Sequence, residues 1–136
     1  MVKEQLFLKT LKFIQDKYKL SFKVHRDNRV KRTGTFHCEQ NYWIRYTKKS
    51  FISQTYTIYV AYHECGHIFN KLPYKTKKNM IYSEFRAERW ALDKMKKDFP
   101  YIYKLHCKMG PEEIKIFQKN NYEPYLSAWK MIKEYN

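Results

Sequence analysis

One short run in this chain, residues 63–67, reads His63-Glu64-Cys65-Gly66-His67. On a helix, residues four positions apart lie above one another on a single face, so the two imidazoles can point at one ion. Zinc lies about 2.0–2.1 Å from such nitrogens. Glu64 projects beside that ion, where it can take a proton from a water molecule that the metal polarises. The run predicts a zinc site with His63 and His67 as ligands and Glu64 as the catalytic general base.

The residues around this run have helical periodicity. Tyr56, Tyr59 and Val60 recur at helical spacings with the two histidines, and Ser53 or Thr55 can cap the start of a helix. The β-branched residues near the start leave the first turn ambiguous, so that a strand could persist to about residue 58. Residues 70–79 contain a proline and are predicted to form a loop.

A catalytic zinc normally has three protein ligands and one open position, so a third ligand is expected from another element. The segment from Ile81 to Phe99 reads as a strong helix that stops before Pro100. It offers Glu84 and Glu88, four residues apart, in one stripe with two alanines that would allow close packing against the first helix. We prefer Glu84 as the ligand and Glu88 as the acceptor for the second ring N–H of a zinc-bound histidine, but the residues leave the reverse assignment open.

Other side chains are weaker candidates for the site. His37 or His106 could supply the third ligand instead, although an isolated histidine is more often a surface or packed residue. Cys65 lies on a different helical face from the histidines and is interpreted as packing. A tyrosine could donate a hydrogen bond to the oxyanion formed during hydrolysis, and the candidates near the site in sequence are Tyr62, Tyr74 and Tyr82.

The N-terminal part predicts a helix followed by a small sheet. Apolar residues recur at helical spacing from Glu4 to Tyr18, and Leu20 to His25 alternates between apolar and polar side chains. Two further strands are predicted for Thr33–Cys38 and Tyr42–Thr47, giving a three-stranded antiparallel meander. Beyond residue 100 we expect a helical C-terminal tail, with a helix start at residue 111 and a short helix over residues 125–135.

Composition limits the class of protein. The 136 residues fit one domain, 1–136, and the 43% of hydrophobic residues suffice for a compact core. We expect a cytoplasmic protein without a membrane partner, because no apolar run is long enough to cross a bilayer and the N-terminus lacks a secretory signal. Three widely spaced cysteines predict neither a disulfide framework nor a cysteine zinc site. The net charge of +15 allows a nucleic-acid partner, although no nucleic-acid-binding motif supports one.

Residues 4–95 resemble the ImmA/IrrE family of metallopeptidases. The resemblance rests on the HExxH run at 63–67, on the strand Tyr42-Trp43-Ile44-Arg45-Tyr46, and on the run Glu84-Phe85-Arg86-Ala87-Glu88-Arg89-Trp90-Ala91, which looks like the family's Glu-x-x-Ala and aromatic-Ala signature. It implies that Glu84 is the third zinc ligand. It also implies site-specific cleavage of a repressor protein of a phage or mobile element.

We therefore predict an α+β, zincin-like domain of the minimal gluzincin type that hydrolyses a peptide bond in a protein or peptide substrate with Zn²⁺. One alternative is a DNA-associated protease similar to the SprT-like proteases, which share this order of strands and commonly use a third histidine. Another is a basic nucleic-acid- or protein-binding module with a non-catalytic metal site, in which the segments 26–32 and 71–78 would carry the binding.

Overall fold

The computed structural model describes residues 2–71 and 77–108, and this part of the chain is α+β. No helix among these residues is both long and apolar enough to cross a membrane. The elements, in chain order, are α1 (Lys3–Tyr18), β1 (Lys23–Arg26), β2 (Gly34–Cys38), β3 (Asn41–Tyr46), α2 (Gln54–Asn70), α3 (Lys77–Asp98) and α4 (residues 100–108).

The sheet is mixed, and the predicted antiparallel meander was wrong. The strand order is β1-β3-β2, with β1 parallel to β3 and β2 antiparallel to β3. Residues 27–33 carry the chain away from β1, and β3 then enters between the two earlier strands. Alternation of apolar and polar residues specifies which face of a strand is buried, but it does not specify the neighbouring strand. The error therefore concerns strand order rather than strand position.

Helix α1 covers one side of the core. Its buried side chains are spaced three or four residues apart and include Phe7, Leu11 and Ile14. The ring of Phe7 lies 5.2 Å from that of Tyr46 on β3 and 4.8 Å from that of Phe51, which precedes α2. These contacts attach the helix to both the sheet and the central helix.

Helix α2 is the central element. It begins at Gln54, where the hydroxyl of Ser53 accepts a hydrogen bond from the backbone N–H of Tyr56, so the ambiguous first turn is helical. Every residue from Tyr59 to Ile68 is buried. A helix that is buried on all sides must have neighbours on all sides, and α1, the sheet and α3 supply them.

Helix α3 starts earlier than predicted and ends at Asp98, before Pro100 as expected. The predicted loop at 70–79 was too long, because α2 extends to Asn70 and α3 begins at Lys77. The proline opens α4, where its missing N–H costs no helical hydrogen bond. The predicted helices beyond residue 110 lie outside the described residues.

The carboxylate of Asp98 joins three helices at the end of α3. It accepts hydrogen bonds from the hydroxyls of Tyr18 on α1 and Tyr62 on α2, each at 2.7 Å, and it pairs with the ammonium of Lys17. Burial alone would raise the pKa of this shielded carboxyl group, but these three donors outweigh burial and lower it.

We expect Asp98→Asn to lower the free energy of unfolding by about 1–3 kcal/mol at neutral pH, because buried hydroxyl groups lose a charged acceptor. A carboxyl group with a lowered native pKa stabilises fully above the pKa of an ordinary aspartate, and this contribution disappears as the pH falls through the native value. The difference between the variant and the wild type should therefore shrink towards pH 3 in urea unfolding. Asp93→Asn, at a position whose side chain is 70% exposed, should change little; equal effects at both positions would contradict this role of Asp98.

Candidate metal centre

Two histidine side chains on α2 point to the same place. His63 and His67 lie one turn apart and are 2% and 6% exposed. Their Nε2 atoms lie 3.2 Å from each other. This is the geometry expected for histidines at positions i and i+4 on one helix, and it leaves both Nε2 atoms directed into the space between α2 and α3.

Helix α3 brings a carboxylate to the same space. One oxygen of Glu84 lies 2.9 Å from Nε2 of His63, and the other lies 3.3 Å from Nε2 of His67. Two donor atoms of a tetrahedral zinc site with bonds of about 2.0–2.1 Å are about 3.3 Å apart. The separations of these three groups fit the face of such a tetrahedron, and this buried cluster can hold a metal ion.

The close approach of α2 and α3 depends on a glycine. A Cβ atom at Gly66 would lie 2.5 Å from the carbonyl oxygen of Ala87 and 2.9 Å from its Cα, so any larger residue would push the helices apart. Ala87 was one of the two small residues expected in this seam. The backbones therefore touch between the histidines of α2 and the glutamates of α3.

Glu88 lies behind His63 rather than in front of it. One of its oxygens lies 2.6 Å from Nδ1 of His63 and also accepts a short hydrogen bond from the hydroxyl of Tyr59. A proton held on Nδ1 leaves the lone pair of Nε2 free for a metal ion. The two glutamates thus occupy different positions, with Glu84 facing both Nε2 atoms and Glu88 facing Nδ1.

Sequence reasoning missed the groups that orient the other side chains. The hydroxyl of Ser83 lies 2.9 Å from Nδ1 of His67, where it can accept the ring N–H as Glu88 does for His63. Tyr59 was counted only as an apolar helix residue. The one available signal was the position of Ser83 directly before Glu84, and a small hydroxyl residue in a helix is too common to be distinctive.

Glu64 lies beside the cluster and is held by the sheet. The hydroxyl of Thr35 on β2 lies 3.2 Å from a carboxylate oxygen of Glu64 and 3.2 Å from its backbone carbonyl oxygen. The side chain is 2% exposed. Its contact with Thr35 joins the edge strand β2 to the helix that carries both histidines.

Burial and charge shift the pKa values of this cluster. Burial raises the pKa of Glu64, and the neighbouring histidines oppose it only in part. Burial also acts to raise the pKa of Glu84, but the positive charges of His67 and His63 outweigh it and lower the value to about 2. Burial acts to lower the pKa of His63, yet Glu84 and Glu88 raise it well above that of an ordinary histidine. In the metal-free protein the two carboxylates therefore favour a proton on His63, and a metal ion would displace that proton.

The remaining ligand candidates lie apart from the cluster. His37 is exposed on β2, where its ring packs against Tyr42. His106 on α4 is buried, but its ring stacks on Tyr59 at 4.2 Å, so that it supports the partner of Glu88 rather than joining the two Nε2 atoms. Cys65 is fully buried in the hydrophobic core, as its helical face indicated.

The three tyrosines that were candidates for the oxyanion donor lie in different places. The hydroxyl of Tyr62 donates to Asp98 and is occupied there. Tyr82 is 46% exposed on α3, one turn before Arg86 and next to Ser83 in sequence. Tyr74 lies outside the described residues. Among the described tyrosines, Tyr59 brings its hydroxyl to the cluster, 3.5 Å from Nδ1 of His63.

Comparisons of the chain with protein-family models, curated proteins and solved structures found no match. The chemistry assigned to this cluster therefore depends on its own geometry.

We expect Gly66→Ala to lower the free energy of unfolding by about 1–3 kcal/mol, the usual cost of overpacking, and to weaken metal binding by moving α3 away. Alanine normally stabilises a helix relative to glycine by about 1 kcal/mol, so a loss here is diagnostic of the backbone contact. Gly34→Ala is the matched control, because a Cβ there meets nothing within 4 Å. If Gly66→Ala and Gly34→Ala gave the same result in urea unfolding and in chelator competition, the backbone contact between Gly66 and Ala87 would not matter for stability or metal binding.

We expect the metal-free protein to bind one equivalent of Zn²⁺, and His63→Ala and Glu84→Ala to abolish this binding because each removes a converging donor. Glu88→Gln should keep the ion with an affinity about 10- to 100-fold lower, since it removes only a partner of a ligand. Glu39→Gln, at an exposed position, should bind as the wild type does. Titration against a chromophoric chelator measures the Zn²⁺ affinity of all four variants. If Glu84→Ala bound Zn²⁺ with wild-type affinity, Glu84 would not be the third ligand.

Proposed function

We propose that this chain is a zinc-dependent peptide hydrolase of the gluzincin type. The single observation that carries the proposal is the buried convergence of His63, His67 and Glu84, with the carboxylate of Glu64 beside it. Two imidazoles and one carboxylate form a donor set that zinc accepts in catalytic sites. Among the described residues this set supplies three donors, which leaves the fourth coordination position of a tetrahedral ion without a protein ligand, unlike a structural site with four protein ligands.

Zinc bound at these residues would supply Lewis acidity, polarising a peptide carbonyl and lowering the pKa of a water molecule. Glu64 takes the proton from the attacking water and delivers it to the leaving amine. The raised pKa of this buried carboxyl group favours both roles, because it makes the carboxylate a better proton acceptor than an ordinary glutamate. Thr35 limits the movement of Glu64 through its hydrogen bonds.

The edge strand β2 is a candidate substrate-binding element. It is the outer strand of the order β1-β3-β2, and in the described part of the chain no other strand pairs with its free edge. Extended peptides bind such edges through backbone hydrogen bonds. Because Thr35 on this strand contacts Glu64, a peptide added there would pass close to the catalytic carboxylate.

Cleavage of a phage or mobile-element repressor is the more specific form of the proposal and rests on the resemblance to the ImmA/IrrE family. The position of Glu84 at both Nε2 atoms agrees with the glutamate ligand of that family. It disfavours the SprT-like alternative, in which a third histidine is common, because His106 stacks behind Tyr59. A non-catalytic metal-binding module would have no need for Glu64 beside the ligands.

We expect Glu64→Gln to retain Zn²⁺ and to lose peptide cleavage by at least about 100-fold, since glutamine preserves shape but cannot accept a proton. The zinc-loaded full chain would be incubated with a broad mixture of unfolded proteins, and new N-termini would be counted by mass spectrometry. Glu39→Gln is the matched control at an exposed position. Termini produced equally by Glu64→Gln, or none produced by the zinc-loaded wild type, would refute the hydrolase.

A further inference from the structure

The outward face of the sheet presents two parallel aromatic rings. Phe36 on β2 and Trp43 on β3 are directly paired, and their ring planes differ by 6° with centroids 6.3 Å apart. Phe36 is 39% exposed and Trp43 is partly exposed. The next residue along β3, Ile44, is fully buried, so these rings lie on the face opposite to the core and to the metal cluster.

Cations flank both rings. The ammonium of Lys23 on β1 lies 5.6 Å from the ring centroid of Trp43, and the guanidinium of Arg45 lies 5.6 Å from that of Phe36. His25 pairs with Arg45 in the neighbouring row. None of the three strands contains an aspartate or glutamate. The outward face therefore combines flat apolar rings with positive charge and no carboxylate from the strands.

This combination restricts the partner. Adjacent exposed aromatic rings are a feature of surfaces that bind another molecule. A polyanion is attracted by the flanking cations and by the net charge of +15. An acidic peptide would satisfy the cations but offers few planar groups, whereas unpaired bases have free faces that stack on such rings. Bases within a duplex are already stacked on one another.

We propose that Phe36, Trp43, Lys23 and Arg45 form a binding surface for single-stranded nucleic acid, on the side of the sheet away from the metal cluster. The two rings stack on neighbouring bases of the strand, and the two cations contact its backbone phosphates. Adjacent strands are about 4.8 Å apart, so the three strands give a surface about 10 Å wide, enough for a single strand to cross. The surface does not depend on hydrolase activity.

Fluorescence anisotropy measures the affinity of the full chain for a labelled 20-nucleotide oligo(dT). The comparison strand is an abasic 20-mer that has the same phosphates without bases. The wild type should bind oligo(dT) at least about fivefold more tightly than the abasic strand, the effect of stacking one base. Trp43→Ala should bring the two affinities together, and Trp43→Phe should keep most of the preference. Oligo(U) and a duplex of the same length tell RNA, single-stranded DNA and duplex DNA apart.

Matched controls separate this surface from general charge. Tyr101→Ala removes a ring that is 72% exposed on α4 and should leave the preference for oligo(dT) unchanged. The double variant Lys23→Gln/Arg45→Gln should reduce the slope of log K against log salt by about 1.4. The double variant Lys9→Gln/Lys12→Gln on α1 removes the same charge and should reduce that slope less. Glu64→Gln should bind oligo(dT) as the wild type does, whatever its effect on cleavage.

Three results would overturn the proposal. They are equal binding of the abasic strand and oligo(dT) by the wild type, equal effects of Tyr101→Ala and Trp43→Ala, and tighter binding of the duplex than of oligo(dT).

Discussion

The contact between the backbones of Gly66 and Ala87 is the constraint on which the rest of the structure depends. It places α2 and α3 closer together than two side chains would permit. Only at that separation can the short side chain of Glu84 reach both Nε2 atoms while Glu88, one turn later, reaches Nδ1 of His63. The predicted zinc chemistry is therefore coupled to helix packing, and a defect in packing would be a defect in the site.

Burial gives this cluster its electrostatic character. A buried carboxylate or imidazolium is costly unless it is paired, and here each ring nitrogen of His63 and His67 faces an oxygen or the other histidine. Tyr59 and Ser83 extend the network to groups that would not contact an ion. Such a network holds the imidazoles in one orientation before an ion arrives, which reduces the conformational cost of binding it.

The small sheet contributes side chains both to the metal cluster and to the outward aromatic surface, because successive side chains of a strand point to opposite faces. Thr35 points inward to Glu64, whereas its neighbour Phe36 points outward beside Trp43. The parallel pairing of β1 with β3 matters for the outer surface, since it brings Lys23 next to Trp43. In the predicted meander β1 would have paired with β2, and this cation would have been separated from the indole ring.

Local periodicity accounts for what could be predicted. For the described residues, the sequence by itself determined the helices and the three strand positions within a few residues. It also determined the pairing of His63 with His67, because residues four apart on a helix meet whatever surrounds them. It favoured two glutamates as the third ligand and left two histidines as weaker candidates. The tertiary structure alone decided which glutamate faces Nε2, the strand order, and the roles of Ser83, Tyr59 and Thr35. Each of these depends on the distance between elements far apart in the chain, and hydrophobic patterning carries no information about that distance.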